Sequence, residues 1–322
     1  MGPRPDRLRA RHARSLCVRT RCAACADGPV SREGTPASVQ PWTPHALLPR
    51  RARRIEPDSR HTVALSVGTR GGLPTGTIAG DDAPALEPIV AVVIPALNET
   101  GKIGRVLDKL PRDGRFEAIV VDDGSTDGTG DEARAHGATV VIRHEQRGGV
   151  GAAIRDGWKE AMRRERPYVA LLAGDDQHEP SELGPALDTL LAEGADYVQG
   201  SRWMRGGKVE GPIGHRSLGT RLYSIVFSVL VVRRVTDATN GFRILKTDIL
   251  RDRSVNIDQD WLTSYDLEPY VLYKAIRRGY RVVEVPCTVR YHAKEGYTKM
   301  RGLRDWWRLF RPAILLRTGV KR

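Results

Sequence analysis

The sequence holds only four cysteines in 322 residues, too few for a disulfide framework in a chain of this length. Cys287 falls in the apolar stretch "YRVVEVPCTV" and reads as a small core residue. Cys17, Cys22 and Cys25 lie together near the N-terminus, but no fourth ligand at metal-site spacing accompanies them. No run approaches the roughly 20 apolar residues that cross a bilayer, and the N-terminus lacks the apolar core, about 7–15 residues long, of a secretory signal. It is Arg-rich and acid-poor, as organelle transit peptides are; a disordered leader or a misassigned start codon explains that equally well. There is no internal repeat and no Gly-Lys-Ser/Thr phosphate loop. The arginines come without an aromatic platform or a recognisable nucleic-acid motif, so no specific nucleic-acid partner is expected.

What the chain does have is a formal charge of +13, unevenly spread. Residues 1–80 carry 14 Arg against 5 acids; the C-terminal end is basic as well, and the middle is close to balanced. The basic character therefore belongs to two ends rather than to a catalytic body. Residues 1–86 are rich in Arg, Pro, Ala and Gly without a sustained period and read as a disordered leader. Residues 87–300 read as one domain, and 301–322 as a basic amphipathic tail.

Order begins at "PIVAVVIPALNE", where Ile89 to Ile94 is a continuous β-branched run of the kind buried on both faces of a sheet. Helical spacing follows through Ile103, Val106, Leu107 and Leu110. Strand-like runs then alternate with helical ones: "FEAIVVDDGSTDGT", a helix near 127–136, "ATVVIRH", a helix near 150–164, "YVALLA", a helix near 182–193, and "DYVQGSR". That alternation predicts an α/β fold with a mostly parallel sheet flanked by helices. In such sheets ligands bind beyond the carboxyl ends of the strands, which is where Asn98-Glu99, Asp122-Asp123, Asp175–Gln177 and Ser201-Arg202 fall. Further on, "TNGFRILKTDIL" reads as turn, strand and helix start, "SYDLEPYVLYKAIRRGY" as a helix and "RVVEVPCTVRY" as a strand.

Seven motifs stand in order: "VVIPALNE", "VVDDGSTDGT", "RGGVGAAIRDG", "AGDDQHEP", "GSRWMRGG", "TNGFR" and "YTKM". On these the chain, from about Pro88 to Met300, resembles the family 2 inverting glycosyltransferases of the GT-A fold. Within them it is most similar to dolichol-phosphate mannosyltransferases and related polyprenyl-phosphate glycosyltransferases. The resemblance implies a nucleoside diphosphate sugar donor, held by Pro95, Ala96, Asn98, Glu99, Asp122, Asp123, Gly174, Asp176 and Lys299. Asn98 and Glu99 would alternatively cap the next helix, and "DDGS" is also good turn chemistry. Gly148, Gly149 and Gly151 suit either a close ligand approach or tight helix packing.

The family pattern Asp-x-Asp-x-Gln/Ser is incomplete here. Ala173 stands at the first acid, whereas Asp175 and Gln177 match the rest. If the segment is extended, Asp175 and Gln177 share a face and together suit Mg2+ or Mn2+, with diphosphate and water completing the shell. Asp176 would supply extra charge or sugar contacts; alternatively, these acids cap a helix at Pro180. Arginines matching Arg202 and Arg216 hold the acceptor phosphate in polyprenyl-phosphate members, which suits guanidinium geometry. Asp175, Arg202 and Arg216 are thus the expected catalytic set.

A lipid phosphate is already an anion near neutral pH and needs no protein base. A hydroxyl acceptor would need one, for which Asp266 and Glu268 are candidates. Lys294 and Lys299 would close over the diphosphate, although Ala293 stands where relatives often carry Arg. Leu222 to Val232, with Arg221, Arg233 and Arg234, suits an interfacial helix, and the tail mixes Trp306, Trp307 and Phe310 with Arg304, Arg308 and Arg311. Either would alternatively pack on the protein itself. The expected activity is hexosyl transfer from GDP-mannose or UDP-glucose to a polyprenyl phosphate with inversion. The expected location is cytoplasmic, peripheral at the inner face of a membrane. A hydroxyl acceptor, or a nucleotide-sugar-binding protein that has lost catalysis, is the alternative.

Overall fold

The computed structural model describes residues 87–211, 216–291 and 302–321. The expected leader with its three cysteines, Lys294 and Lys299 lie outside the described residues, as does the side chain of Arg216.

The chain runs β1 (Val90–Ala96), α1 (Ile103–Asp108), β2 (Phe116–Asp122), α2 (Thr129–Ala135), β3 (Val140–Arg143), α3 (Val150–Arg163) and β4 (Tyr168–Leu171). A 3-10 turn at Pro180–Glu182 leads into α4 (Leu183–Ala192), followed by β5 (Tyr197–Ser201), β6 (Lys208–Glu210) and α5 (Arg216–Val231). Then come β7 (Arg243–Lys246), α6 (Thr247–Arg251), α7 (Leu267–Arg277), β8 (Val282–Pro286), β9 (Thr288–Arg290) and α8 (Gly302–Arg317). The main sheet has the order β3-β2-β1-β4-β7-β5-β8. It is parallel except for β7, which pairs antiparallel with both β4 and β5; β6 and β9 form a small parallel pair.

β1 lies at the centre of the packing because its side chains are apolar on both faces. Ala91 and Val93 join the core beneath α3, α5 and α7, while Val90, Val92 and Ile94 join the core beneath α1 and α4. Val90 to Ile94 are fully buried, as a parallel strand covered on both sides should be. Helix α3 approaches β1 so closely that a Cβ at Gly157 would sit 2.3 Å from Val93 Cγ1. There glycine is a packing requirement.

α5 is apolar nearly all round. Tyr223, Phe227 and Val231 are buried in the core, yet Leu218, Leu222, Ile225 and Val229 are 56–71% exposed at 4-3-4 spacing. The basic tail, set apart in the sequence, is helix α8, packed on α5 and α7, with Leu309 and Ala313 in the core. It therefore belongs to the body of the domain, although Trp307 is 53% exposed. Among the described residues no helix is long and apolar enough to cross a membrane.

Candidate active site

The carboxyl ends of β1, β2, β4 and β5 open onto one cavity of about 500 Å3. Because β7 runs the other way, it presents its start there, with Thr239, Asn240 and Gly241 on the wall. Pro95, Ala96, Glu99, Asp123, Gly174, Asp175, Gln177 and Arg202 all line this cavity. The four loops expected to converge do so.

Three residues expected to hold the donor turn elsewhere. Asn98 takes a left-handed backbone, φ 52°. Its N–H donates to Ser125 Oγ (2.9 Å) and its Oδ1 accepts from Thr126 N (3.0 Å), which stitches two loops together. Asp122 is fully buried; Oδ1 accepts from Ser125 N at 2.8 Å and Oδ2 is buried without a partner, so its surroundings are those of a turn. Asp176 also has a left-handed backbone, φ 58°, and reaches Arg105 Nε (2.8 Å) and Lys109 Nζ (2.9 Å) of the α1 region. Burial alone would raise the Asp176 carboxyl, but these two cations outweigh it and the pKa is lowered. The segment is thus kinked rather than extended, and the kink sends Asp175 and Gln177 to the cavity and Asp176 to the helix.

The capping alternatives also resolve. Gly101 and Gly104 N–H groups at the start of α1 donate to Glu132 of α2, at 2.7 and 2.9 Å, so a distant glutamate fills that role. At Pro180 the cap is Glu179, which accepts from Ser181 N and Oγ. Asp123 accepts from Gly148 N (2.7 Å), Gly149 N (2.9 Å) and His144 Nδ1 (2.9 Å), and so folds the glycine loop back over the end of β2. Those glycines serve packing as well: a Cβ at Gly149 or Gly151 would lie 2.7 or 2.6 Å from the backbone of Thr263 and Ser264.

Arg202 is 8% exposed and held on several sides. Nε and Nη2 donate to Asp237 (2.6 and 3.1 Å), Nη2 also to Thr239 Oγ1 (2.8 Å), and Nη1 to the Tyr291 hydroxyl (2.7 Å). Burial works against its charge, but Asp237 and Tyr291 more than offset it and the pKa is raised. Of the two candidate bases, Asp266 is fully buried, does not line the cavity and pairs with Arg311 of α8. Glu268 does line it, paired with Arg243 at 2.8 Å. Burial pushes its carboxyl up against the pull of Arg243.

Some wall residues escaped the sequence reading. Arg147, exposed and at the cavity edge, sits inside a motif read for its glycines alone. Asp305, Trp306 and Arg308 of α8 form part of the wall, and α8 is seated against α5 where Gly219 leaves room: a Cβ there would meet the Trp306 ring at 2.8 Å. Only helix packing brings this segment to the site, so no local pattern could have revealed it.

The family model described as glycosyl transferase family 2 matches residues 91–254, which spans β1 to just past α6 and the first four cavity loops. The chain belongs to glycosyl transferase family 2. This glycosyltransferase is 30% identical over 239 residues to the polyprenol monophosphomannose synthase of Mycolicibacterium smegmatis, covering 70% of this chain and 86% of that protein. It is 32% identical over 213 residues to the dolichyl-phosphate hexose transferase of Haloferax volcanii, covering 66% and 86%. Glucosyl-3-phosphoglycerate synthase from Mycobacterium tuberculosis, solved with Mn2+, UDP and glucosyl-3-phosphoglycerate, superposes with a TM-score of 0.54 at 23% identity, covering 79% of this chain and 88% of that one. The glycosyltransferase thus has the GT-A fold.

The residues present fit a divalent ion. Asp175 and Gln177 offer hard oxygen donors on the cavity wall, and Gln177 N–H closes a 3.2 Å bond onto Asp175 Oδ1 that fixes their spacing. A single carboxylate and an amide leave several positions for phosphate and water, as Mg2+ prefers.

Proposed function

We propose that this glycosyltransferase moves a hexosyl group from a nucleoside diphosphate sugar to a polyprenyl phosphate, inverting the anomeric centre. The observation that carries the reading is Arg202: a buried guanidinium, clamped by Asp237, in the same cavity as Asp175 and Gln177. A fixed cation of this kind suits a phosphate acceptor, and the mycobacterial and haloarchaeal relatives are named for polyprenol monophosphomannose and dolichyl phosphate. Bound at Asp175 and Gln177, Mg2+ or Mn2+ would neutralise the departing diphosphate. Glu99 and Asp123 line the donor end, Arg147 is available to the diphosphate, and Arg202 orients the acceptor oxygen for in-line attack. The family resemblance assigns Arg216 to the acceptor phosphate and Lys299 to the donor, both outside the described side chains. The attacking phosphate arrives deprotonated, so Glu268 need not act as a base.

The exposed stripe of α5, with Leu218, Leu222, Ile225 and Val229, is the surface through which the enzyme rests peripherally on the cytoplasmic face of a membrane. A helix apolar on its inner and its outer face fits a boundary with protein on one side and lipid on the other.

The test is a donor-by-acceptor assay with purified protein and Mg2+, GDP-mannose and UDP-glucose each being offered to short polyprenyl phosphates and to free-sugar acceptors. Lipid-linked product that disappears with chelator is expected. Transfer to hydroxyl acceptors alone would favour the second reading, in which Glu268, the candidate base on the cavity wall, removes the acceptor proton. Donor binding without any turnover would mean that catalysis has been lost.

A further inference from the structure

Between the donor loop and the acceptor arginine lies a largely buried polar chain along the cavity wall. His178 follows Gln177 directly, is 8% exposed, and its Nε2 is 2.8 Å from Asn240 Oδ1. Asn240, 1% exposed, also accepts from Phe242 N–H at Oδ1 (3.0 Å), while its Nδ2 donates to Cys287 Sγ (2.9 Å) and Asp237 Oδ2 (3.4 Å). Asp237, fully buried, receives Arg202 through Nε and Nη2 (2.6 and 3.1 Å). The backbone around Asp237 is fixed in turn by Glu284, which accepts from Thr236 N (2.8 Å) and Asp237 N (3.2 Å).

The directions in this chain are determined by chemistry. A backbone N–H can only donate, so the Asn240 atom facing Phe242 N is the oxygen. A carboxylate can only accept, so the atom facing Asp237 is the nitrogen. Asn240 Oδ1 is therefore an acceptor, and His178 must present Nε2–H to it. That leaves Nδ1 as the unprotonated ring nitrogen, and Nδ1 is buried with no partner. A proton at Nδ1 would be buried without an acceptor, so the geometry puts the ring's N–H at Nε2. One N–H of this ring does all its hydrogen bonding.

We propose that His178 and Asn240 form a rigid bridge that holds the donor loop, Asp175 to Gln177, in register with Arg202. His178 is then a positioning residue for the transfer. The inference rests on the proposed function for the identity of the two sites, but not on which acceptor is used. Interior polar chains with every direction fixed resist sliding, and a small misplacement of two reacting groups costs rate steeply. The bridge joins three separate segments, the loop after β4, the end of β5 and the start of β7, at the point where both substrates must meet.

The orphan nitrogen makes the test specific. Glutamine carries its amide nitrogen where histidine carries Nε2, whereas asparagine reaches only as far as Nδ1. His178→Gln, His178→Asn and His178→Leu are compared in steady-state kinetics with the acceptor that the wild-type enzyme uses, whether lipid phosphate or hydroxyl. Thermal melts accompany each, and His178→Leu is repeated in an Arg202→Lys background. Acceptor kcat/KM is expected to fall about tenfold in His178→Leu and His178→Asn, mainly through KM, and to recover in His178→Gln. The Leu substitution should cost far less in the Arg202→Lys background than in the wild type, because both act on one chain. Equal losses in the Gln and Asn variants, or additive losses in the double variant, would overturn the bridge. Should His178→Leu fail to fold, the Gln–Asn comparison decides alone. A wild type that uses only hydroxyl acceptors would remove the lipid-phosphate reading yet leave this comparison intact.

Discussion

Asp175 and Asp176 are neighbours with the same side chain and opposite surroundings, and their substitution should separate the two roles. Asp175→Asn is expected to cut turnover by orders of magnitude at nearly unchanged melting temperature. Asp176→Asn should do the reverse: donor KM stays close to wild type while stability falls by about 1–3 kcal/mol, since a buried carboxylate leaves two half-exposed cations behind. The sign with pH follows from the lowered Asp176 pKa. The group stabilises the fold above the ordinary aspartate range, near pH 4, and that contribution is lost as pH falls through the lower folded value. Melting curves of wild type and Asp176→Asn should therefore converge in acid; curves that stay parallel below pH 4 would refute the ion-pair account. The sequence made the two acids look like one cluster because nothing in "AGDDQHEP" reveals a left-handed residue. Asp tolerates that conformation, and only the folded chain shows that it is used. That Asp123 ends a strand at the cavity was legible, but its partners His144, Gly148 and Gly149 are a strand and a loop away.

Among the elements, α5 and α3 make contrasting demands. Introducing Glu at Leu222 and Ile225 together should abolish sedimentation with anionic lipid vesicles without lowering the melting temperature, because both side chains are more than half exposed. Unchanged vesicle binding would assign the stripe to some other contact. The arginines expected to assist, Arg221, Arg233 and Arg234, are all exposed, although Arg221 already stacks over Trp203 at 4.4 Å and Arg233 donates to Val282 O. Gly157→Ala, by contrast, presses a methyl into Val93 within the sheet and should cost about 1–3 kcal/mol in denaturant titration. The helices and parallel strands were readable because the periods change cleanly from 2 to 3.6 and because turn residues punctuate them. The direction of β7 was not. Four residues carry no mark of parallel or antiparallel pairing, which depends on partners recruited from far along the chain.

For the molecule as a whole, the tail is the decisive segment. Arg311 of α8 pairs with the fully buried Asp266, and the Tyr223 hydroxyl donates to Leu309 O at 3.1 Å. Arg311→Ala would strand a buried charge and should lower stability by about 3 kcal/mol. Asp266→Asn should likewise act through stability, whereas Glu268→Gln should retain transfer if the acceptor is a phosphate. A near-dead Glu268→Gln enzyme with a wild-type melting curve would point to the hydroxyl acceptor. That the polar loops meet at one edge was legible, since it follows from strand direction; that the last helix walls the cavity was not, since it follows from tertiary packing. The strand order also has a consequence for biogenesis. β4 and β5 succeed one another in the chain but are separated in the sheet by β7. A ribosome that has released β5 has therefore left one unpaired backbone edge on β4 and another on the inner side of β5, whose outer side waits longer still, for β8. Both edges wait for residues 243–246, several seconds of synthesis at typical rates. Open edges of this kind template aggregation, so the nascent chain is most vulnerable in that interval, and β7 closes both sides at once.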